Sequence, residues 1–86
     1  MADVHLPPTL PPLFPGLPRR LDVDAASVGE ALQQLDARWP GLRDRVCDGA
    51  ALREHMRVFV DGERAELSTS LADGARLDVI AAISGG

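Results

Sequence analysis

The helix that organises this chain is encoded by residues 27–41, which read SVGEALQQLDARWPG. Ser27 and Glu30 have the spacing of a capping box, in which each side chain bonds the other residue's backbone amide. The Pro-Gly pair at 40–41 is a typical helix stop. Between these signals, apolar residues recur at three- and four-residue spacing and form one stripe: Val28, Ala31, Leu32, Leu35 and Trp39. The pattern predicts a helix over residues 28–38.

Segments with strand patterns flank this helix on both sides. Residues 2–6 and 20–24 alternate between apolar and polar side chains, which is typical of strands. After the helix, residues 56–60 and 64–67 predict a hairpin around Asp61-Gly62, because both positions of such a turn tolerate positive φ. Residues 76–80 predict a last strand, and residues 42–46 predict one further helical turn.

The order of these elements predicts an α+β domain with a small mixed sheet of four to five strands packed on one main helix. A strand–strand–helix–strand–strand order with a crossover is the arrangement of the ubiquitin-like β-grasp fold. We expect this domain to cover residues 1–80 and a flexible C-terminal tail to cover residues 81–86.

The segment from residue 7 to residue 18 contains six of the seven prolines. Because proline cannot donate a hydrogen bond to a sheet, this segment is predicted to be a loop or an edge segment. Residues 15–20 also match the PxxPxR pattern that SH3-type grooves bind. A proline-stiffened loop between two strands is the favoured interpretation.

Composition excludes several classes of protein. The 86 residues form one small domain that buries about 63% of its unfolded surface. A net charge of −4 with three aromatic residues argues against a nucleic-acid-binding protein. No apolar stretch approaches the ~20 residues of a membrane span, so we expect a cytoplasmic protein. A single cysteine, Cys47, excludes an internal disulfide and a multi-cysteine zinc site.

The sequence ends in Gly85-Gly86, a pair expected by chance in roughly 0.5% of chains. The six residues after the last predicted strand could extend roughly 20 Å beyond the sheet. Because glycine has no Cβ, a backbone ending in two glycines can enter a channel that is too narrow for side chains. The end of the chain is therefore the first candidate for chemistry.

Three further stretches carry a family resemblance: VDGE at 60–63, LADGARLDVI at 71–80 and AISGG at 82–86. Their order and spacing resemble the MoaD/ThiS family of ubiquitin-like sulfur-carrier proteins. The N-terminal half, with LPPTL at 6–10, VGEAL at 28–32 and WPGLR at 39–43, is similar to the long, CysO-like branch of that family. Two features depart from it: Ala81-Ala82 stands where many members have proline, and residues 11–18 are unusually rich in proline.

The resemblance implies a function for the last residues of the chain. In this family, an adenylating enzyme of the ubiquitin-activating type uses ATP and magnesium to activate the C-terminal glycine, here Gly86. A sulfur donor then displaces AMP and leaves a thiocarboxylate, which a downstream biosynthetic enzyme consumes. Gly85 would let the tail thread into its partner, and three residues would line the channel: Ser84, Ile83 and Ala82. The carrier itself would bind no cofactor or metal.

Two other functions are compatible with the same sequence. A ubiquitin-like modifier would share the activation step but join Gly86 to lysines of target proteins. A binding module would contain the tail only incidentally, and deletion of Gly86 would leave its binding intact.

Strand alternation suggests where a partner docks. If Val58 and Val60 face the helix, Phe59 lies on the opposite face of the sheet. If Val79 belongs to the core, Ile80 points outward. Two large apolar side chains beside the tail would suit docking to an enzyme. The alternative is that they are ordinary, scattered surface residues.

No catalytic site is expected. Cys47 and His55, eight positions apart, could form a nucleophile pair. A small buried thiol and surface histidines are the favoured interpretation. Strand-end and turn positions likewise explain the carboxylates that might form a catalytic pair: Asp22, Asp24, Asp73 and Asp78.

Overall fold

The computed structural model describes residues 1–81 of the chain. Its strands and helices follow one another in this order: β1 (Ala2–His5), a 3-10 helix (Pro11–Leu13), β2 (Arg20–Val23), α1 (Val28–Arg38), α2 (Leu42–Val46), β3 (Cys47–Asp48), β4 (Ala51–Leu52), β5 (Met56–Val60), β6 (Glu63–Ala65) and β7 (Arg76–Ala81).

Five of the strands form one mixed sheet in the order β2-β1-β7-β5-β6. The central pair, β1 and β7, is parallel, whereas the other neighbours are antiparallel. Strands β3 and β4 form a separate two-stranded hairpin. The predicted ubiquitin-like β-grasp fold, a small mixed sheet with one main helix, is confirmed.

The predicted elements differ from the observed ones mainly at their ends. Strand β7 continues one residue beyond the predicted boundary, to Ala81, because it pairs with Met56 of β5. Strand β6 covers Glu63–Ala65 instead of 64–67. The β3–β4 hairpin was not predicted, since strands of two residues are too short for an alternating pattern.

The core lies between α1 and one face of the sheet. Four of the five residues of the predicted helical stripe are buried: Val28, Ala31, Leu32 and Leu35. Val4 of β1, Val58 of β5 and Leu77 of β7 are buried in the same apolar cluster. Trp39, the fifth residue, is only partly buried because it lies at the C-cap of the helix.

The start of α1 is capped in two ways. Half of the predicted capping box is present: the Ser27 hydroxyl accepts a hydrogen bond from the Glu30 amide, at 3.2 Å. Within residues 1–81, the Glu30 side chain does not accept the return bond from the Ser27 amide. The amides of Val28 and Gly29 donate to the carbonyls of residues 69 and 67, at 3.0 and 2.9 Å. A Cβ on Gly29 would lie 3.2 Å from the Leu67 carbonyl, so glycine permits this close approach.

The proline-rich segment is a structured loop that covers the C-terminal end of α1. Trp39 donates its indole N–H to the Pro15 carbonyl at 3.2 Å. Leu10 and Leu17 extend from the loop into the core and are buried. Because Leu17 lies inside the PxxPxR stretch, an SH3-type groove could take this stretch only if Leu17 left the core.

We expect Leu32→Ala to lower the free energy of unfolding by about 2–5 kcal/mol, since Leu32 is fully buried and the truncation leaves a cavity. Urea denaturation followed by circular dichroism measures the change. Gln33→Ala, at the exposed neighbouring position, is the control and should stay within about 0.5 kcal/mol of the unchanged protein. Equal effects of the two changes would contradict the placement of the helix.

Candidate functional site

Within residues 1–81, no helix or strand covers the sheet face opposite α1, and this face carries the two residues predicted to dock a partner. Val58 and Val79 are buried in the core, so the alternating pleat places Phe59 and Ile80 on the other face. Ile80 is 43% exposed, and Phe59 is half-buried. The sheet register pairs Ile80 with Arg57 and Phe59 with Asp78, so the two apolar residues are diagonal neighbours on adjacent strands.

Two arginines flank this apolar pair. Arg57 lies opposite Ile80 and Arg64 of β6 lies opposite Phe59. The Arg57 guanidinium donates to the backbone carbonyls of Glu54 and Met56, at 2.8 and 2.9 Å. These bonds hold the guanidinium at the start of β5. We call Phe59, Ile80, Arg57 and Arg64 the open-face patch.

The other half of the open face is occupied by ion pairs. The Arg20 guanidinium of β2 donates two hydrogen bonds to the Asp3 carboxylate of β1, at 2.9 and 3.0 Å. Arg76 binds Asp78 within β7 in the same way, at 2.9 and 3.0 Å. These carboxylates are therefore neutralised locally, whereas the open-face patch has a net positive charge.

Asp3 lies at the centre of this charged half. The hydrogen bonds from Arg20, with a smaller contribution from His5, lower the pKa of Asp3 from its ordinary value of 3.8. His5 Nε2 lies 3.0 Å from Asp3 Oδ2, but the two groups are not aligned for a hydrogen bond. Within residues 1–81, this buried nitrogen has no hydrogen-bond partner.

A cleft of about 380 Å³ lies at the end of β7, between this strand and the turn that follows β1. Its lining includes Pro7, Pro8 and Thr9 on one side and Val79, Ile80 and Ala81 on the other. His5 and Arg19 add polar groups to the lining. The cleft is thus next to the point from which the chain continues toward its last five residues.

The residues predicted to carry sulfur and to thread into the partner lie outside the described residues: Ala82, Ile83, Ser84, Gly85 and Gly86. Their functions remain predictions. The flexible tail was expected to begin at residue 81, but Ala81 is the last residue of β7.

The alternative chemical sites receive no support from the geometry. Cys47 is buried, and burial raises the pKa of its thiol, so the reactive thiolate is disfavoured. His55 is exposed in a turn. Across residues 1–81, no group of three or more His, Cys, Asp or Glu side chains is arranged to hold a metal ion. None of the helices described over this range is long and apolar enough to cross a membrane.

Sequence reasoning missed the two arginines of the open-face patch and the cleft. A signal for Arg57 was present, because strand alternation places it on the same face as Phe59. A signal for Arg64 was also present, because a two-residue turn at Asp61-Gly62 fixes the hairpin register and sets Arg64 opposite Phe59. The cleft depends on the pairing of β1 with β7, which neither alternation nor a hairpin turn gives.

We expect Arg20→Gln to raise the pKa of Asp3 back toward 3.8, because the charged hydrogen bonds that favour the carboxylate are lost. Carboxyl ¹³C chemical shifts recorded against pH measure this pKa. In the unchanged protein, the contribution of Asp3 to stability is present above its unfolded pKa and is lost as the pH falls through the lower folded pKa. Arg19→Gln is the control and should leave the Asp3 titration unchanged.

Comparisons with known proteins support the fold described above. The model of the ThiS family matches residues 13–86. Small archaeal modifier protein 1 of Haloferax volcanii is 41% identical over 69 residues, which cover 78% of this chain and 79% of the relative. The crystal structure of that modifier protein superimposes with a TM-score of 0.74 at 31% identity, covering 95% of this chain and 97% of the other.

A second solved structure supports the fold alone. A chain of the Amycolatopsis orientalis BexX/CysO complex superimposes with a TM-score of 0.86 and 23% identity, over 100% of both chains. The family match and the sequence identity with the modifier protein show family membership in addition to the fold. The chain belongs to the ThiS family of ubiquitin-like sulfur-carrier and modifier proteins.

Proposed function

We propose that this protein is a sulfur carrier whose C-terminal glycine, Gly86, is adenylated and then converted to a thiocarboxylate. The observation that carries the proposal is a ThiS-family β-grasp domain whose last strand is followed by five residues ending in Gly85-Gly86. The carrier supplies a substrate group and an enzyme supplies the catalysis, so no general base is needed on this chain.

The chemistry follows from the terminal carboxylate. A carboxylate is a poor electrophile, because its charge is delocalised and it has no good leaving group. In the proposed reaction, a carboxylate oxygen attacks the α-phosphorus of ATP and pyrophosphate leaves, with magnesium held by the activating enzyme. Hydrosulfide then attacks the acyl carbon, AMP leaves, and loss of the S–H proton gives the thiocarboxylate. The resulting thiocarboxylate is a strong nucleophile that a downstream enzyme uses to build a sulfur-containing metabolite.

The activating enzyme is proposed to dock on the open-face patch. Phe59 and Ile80 form an uncovered apolar pair beside the end of β7, the strand that leads to the tail. An enzyme seated there could hold the domain while the last residues enter its active site. Cytoplasmic localisation is part of the proposal, because activation consumes ATP.

A modifier function is the second candidate. The relative with 41% identity is named a modifier protein, which favours joining Gly86 to amines of other proteins. This chain contains no lysine, so it could not extend isopeptide-linked chains on its own side chains. The two functions share the adenylate and differ in whether sulfide or an amine attacks it.

We expect the intact mass to increase by the exchange of one oxygen for one sulfur after incubation with a ThiS-type activating enzyme, ATP, magnesium and sulfide. Deletion of Gly86 should abolish the increase, because the shortened chain still ends in glycine but its carboxylate lies one residue short of the reacting centre. Replacing sulfide with N-acetyl-lysine amide tests the modifier candidate through formation of an amide adduct. If no tested activating enzyme forms either product or releases AMP, the carrier and modifier proposals both fail.

We expect Phe59→Ser combined with Ile80→Ser to raise the KM of the activating enzyme for this protein about tenfold or more, as expected for the loss of two apolar anchors. The kcat should change little, because neither residue reaches the reacting carboxylate. Leu13→Ser is the matched control, since Leu13 is 49% exposed on the 3-10 helix outside the sheet face. An unchanged KM for the double variant would exclude docking through these residues.

A further inference from the structure

The central parallel pair of strands separates before β7 ends. The register pairs β1 with β7 from Asp3↔Arg76 to His5↔Asp78 and stops there. Strand β7 nevertheless continues through Val79 and Ile80 to Ala81, paired only with β5 on its other side. The last three residues of β7 thus have one edge without a neighbouring strand among the described residues.

Two backbone hydrogen bonds establish which groups face this free edge. Asp3 donates its amide to the Ala75 carbonyl at 2.8 Å, on the β1 side. Asp61 donates to the Arg76 carbonyl at 2.9 Å, on the β5 side. The amide and carbonyl of one residue point to the same side of a strand, and this side alternates from residue to residue. The amides and carbonyls of the odd-numbered residues of β7 therefore point toward β1. The Val79 carbonyl and the Ala81 amide therefore face the free edge.

Pro7 is the reason why β1 does not pair with these groups. Along β1, the amides of Asp3 and His5 face β7, and the next amide in this series would belong to residue 7. That amide would reach the Val79 carbonyl, but proline has no N–H. The Pro7 carbonyl is also turned away, because it accepts a hydrogen bond from Leu10 at 3.2 Å. Neither the donor nor the acceptor that would continue the ladder is available.

The space beside the free edge is the cleft of about 380 Å³ described above. Its walls are the Pro7–Thr9 turn and the end of β7, and buried Leu6 is also part of its lining. Pro7 is buried, so this wall is held in place. The exposed Arg19 contributes a positive charge to the lining. We call this cleft the β7 notch.

We propose that the β7 notch binds an extended segment of a partner protein, which adds main-chain hydrogen bonds to the Val79 carbonyl and the Ala81 amide. Strand addition of this kind takes affinity from the backbone and specificity from alternate side chains. Ile80 favours an apolar side chain on the segment. Arg19 favours an acidic one, since Asp78, the acidic residue of the lining, is already paired with Arg76. That the partner is the activating enzyme rests on the proposed function, because the notch lies at the base of the tail that this enzyme must hold.

The binding step can be tested without an activating enzyme. The probe is an acetylated and amidated pentapeptide of sequence Val-Glu-Val-Glu-Val, added to the ¹⁵N-labelled full chain. We expect saturable chemical-shift changes at Ala81 and Arg19, with several-fold slower hydrogen exchange of the Ala81 amide. Absence of saturable shifts at these residues would overturn the proposal. So would an Ala81 amide that is already protected in the free chain and loses this protection when residues 82–86 are deleted.

Three substitutions test the main-chain contacts. Ala81→Pro removes the amide that faces the notch and spares the bonds to β5, so it should abolish binding of the peptide. Pro7→Ala supplies an amide opposite the Val79 carbonyl and should weaken binding by letting β1 continue. Pro8→Ala, at an exposed position, loses the same ring without supplying that donor and is the control. Unchanged affinity of Ala81→Pro would overturn the proposal even if Pro7→Ala does not fold.

The charge preference has its own test. Arg19→Gln should remove the preference for the glutamate peptide over a matched Val-Gln-Val-Gln-Val peptide, and equal affinities in the unchanged protein would refute this preference. Thiocarboxylate formation on Gly86 is measured separately, so the proposed function and the notch can fail independently. Slower hydrogen exchange of the Ala81 amide when the activating enzyme is added would identify that enzyme as the partner. Unchanged exchange in a complex that still adenylates Gly86 would exclude the activating enzyme as the partner that binds the β7 notch.

Discussion

The parallel pairing of β1 with β7 is the constraint on which the rest of the structure depends. These two strands come from opposite ends of the chain and lie side by side at the centre of the sheet. Val4 and Leu77, which are opposite each other in this pair, are fully buried in the same cluster as α1. Because a parallel connection needs a long crossover, the helix between the strands must cross one face of the sheet. Among the described residues, no helix or strand lies on the opposite face, which is where we propose that a partner docks.

Proline limits this central pairing at a defined point. Pro7 ends the hydrogen bonding of β1 to β7, and the following loop runs across the end of α1, where Trp39 binds the Pro15 carbonyl. The same residue type thus stiffens the connection between β1 and β2 and opens a cleft beside the end of β7. This cleft lies beside Ala81, the last described residue, so the loop that contains Pro7 shapes the surroundings of the end of β7.

The open face is divided by its charges. Toward β2, the acidic side chains of Asp3 and Asp78 are held by arginines within the sheet. Toward β6, Arg57 and Arg64 flank the apolar pair of Phe59 and Ile80. A protein with a net charge of −4 thus presents a locally positive apolar patch beside its last strand. Such a patch would favour a partner surface with acidic groups around an apolar centre.

The sequence by itself determined the two helices and the five strands of the main sheet, but not the 3-10 helix or the β3–β4 hairpin. The apolar stripe over residues 28–38, the Asp61-Gly62 turn and the alternating strands depend on local periodicity and turn chemistry, which are readable along one segment. Alternation also placed Phe59 and Ile80 on the face away from the helix. The two-residue turn at Asp61-Gly62 also fixes the register of β5 with β6, which sets Arg64 opposite Phe59. Only the tertiary structure decided that β1 lies beside β7, a pairing that leaves the Val79 carbonyl without a donor from Pro7. Periodicity within one segment fixes which side chains face the core but not which distant strand lies beside it, because that pairing depends on how the segments pack together.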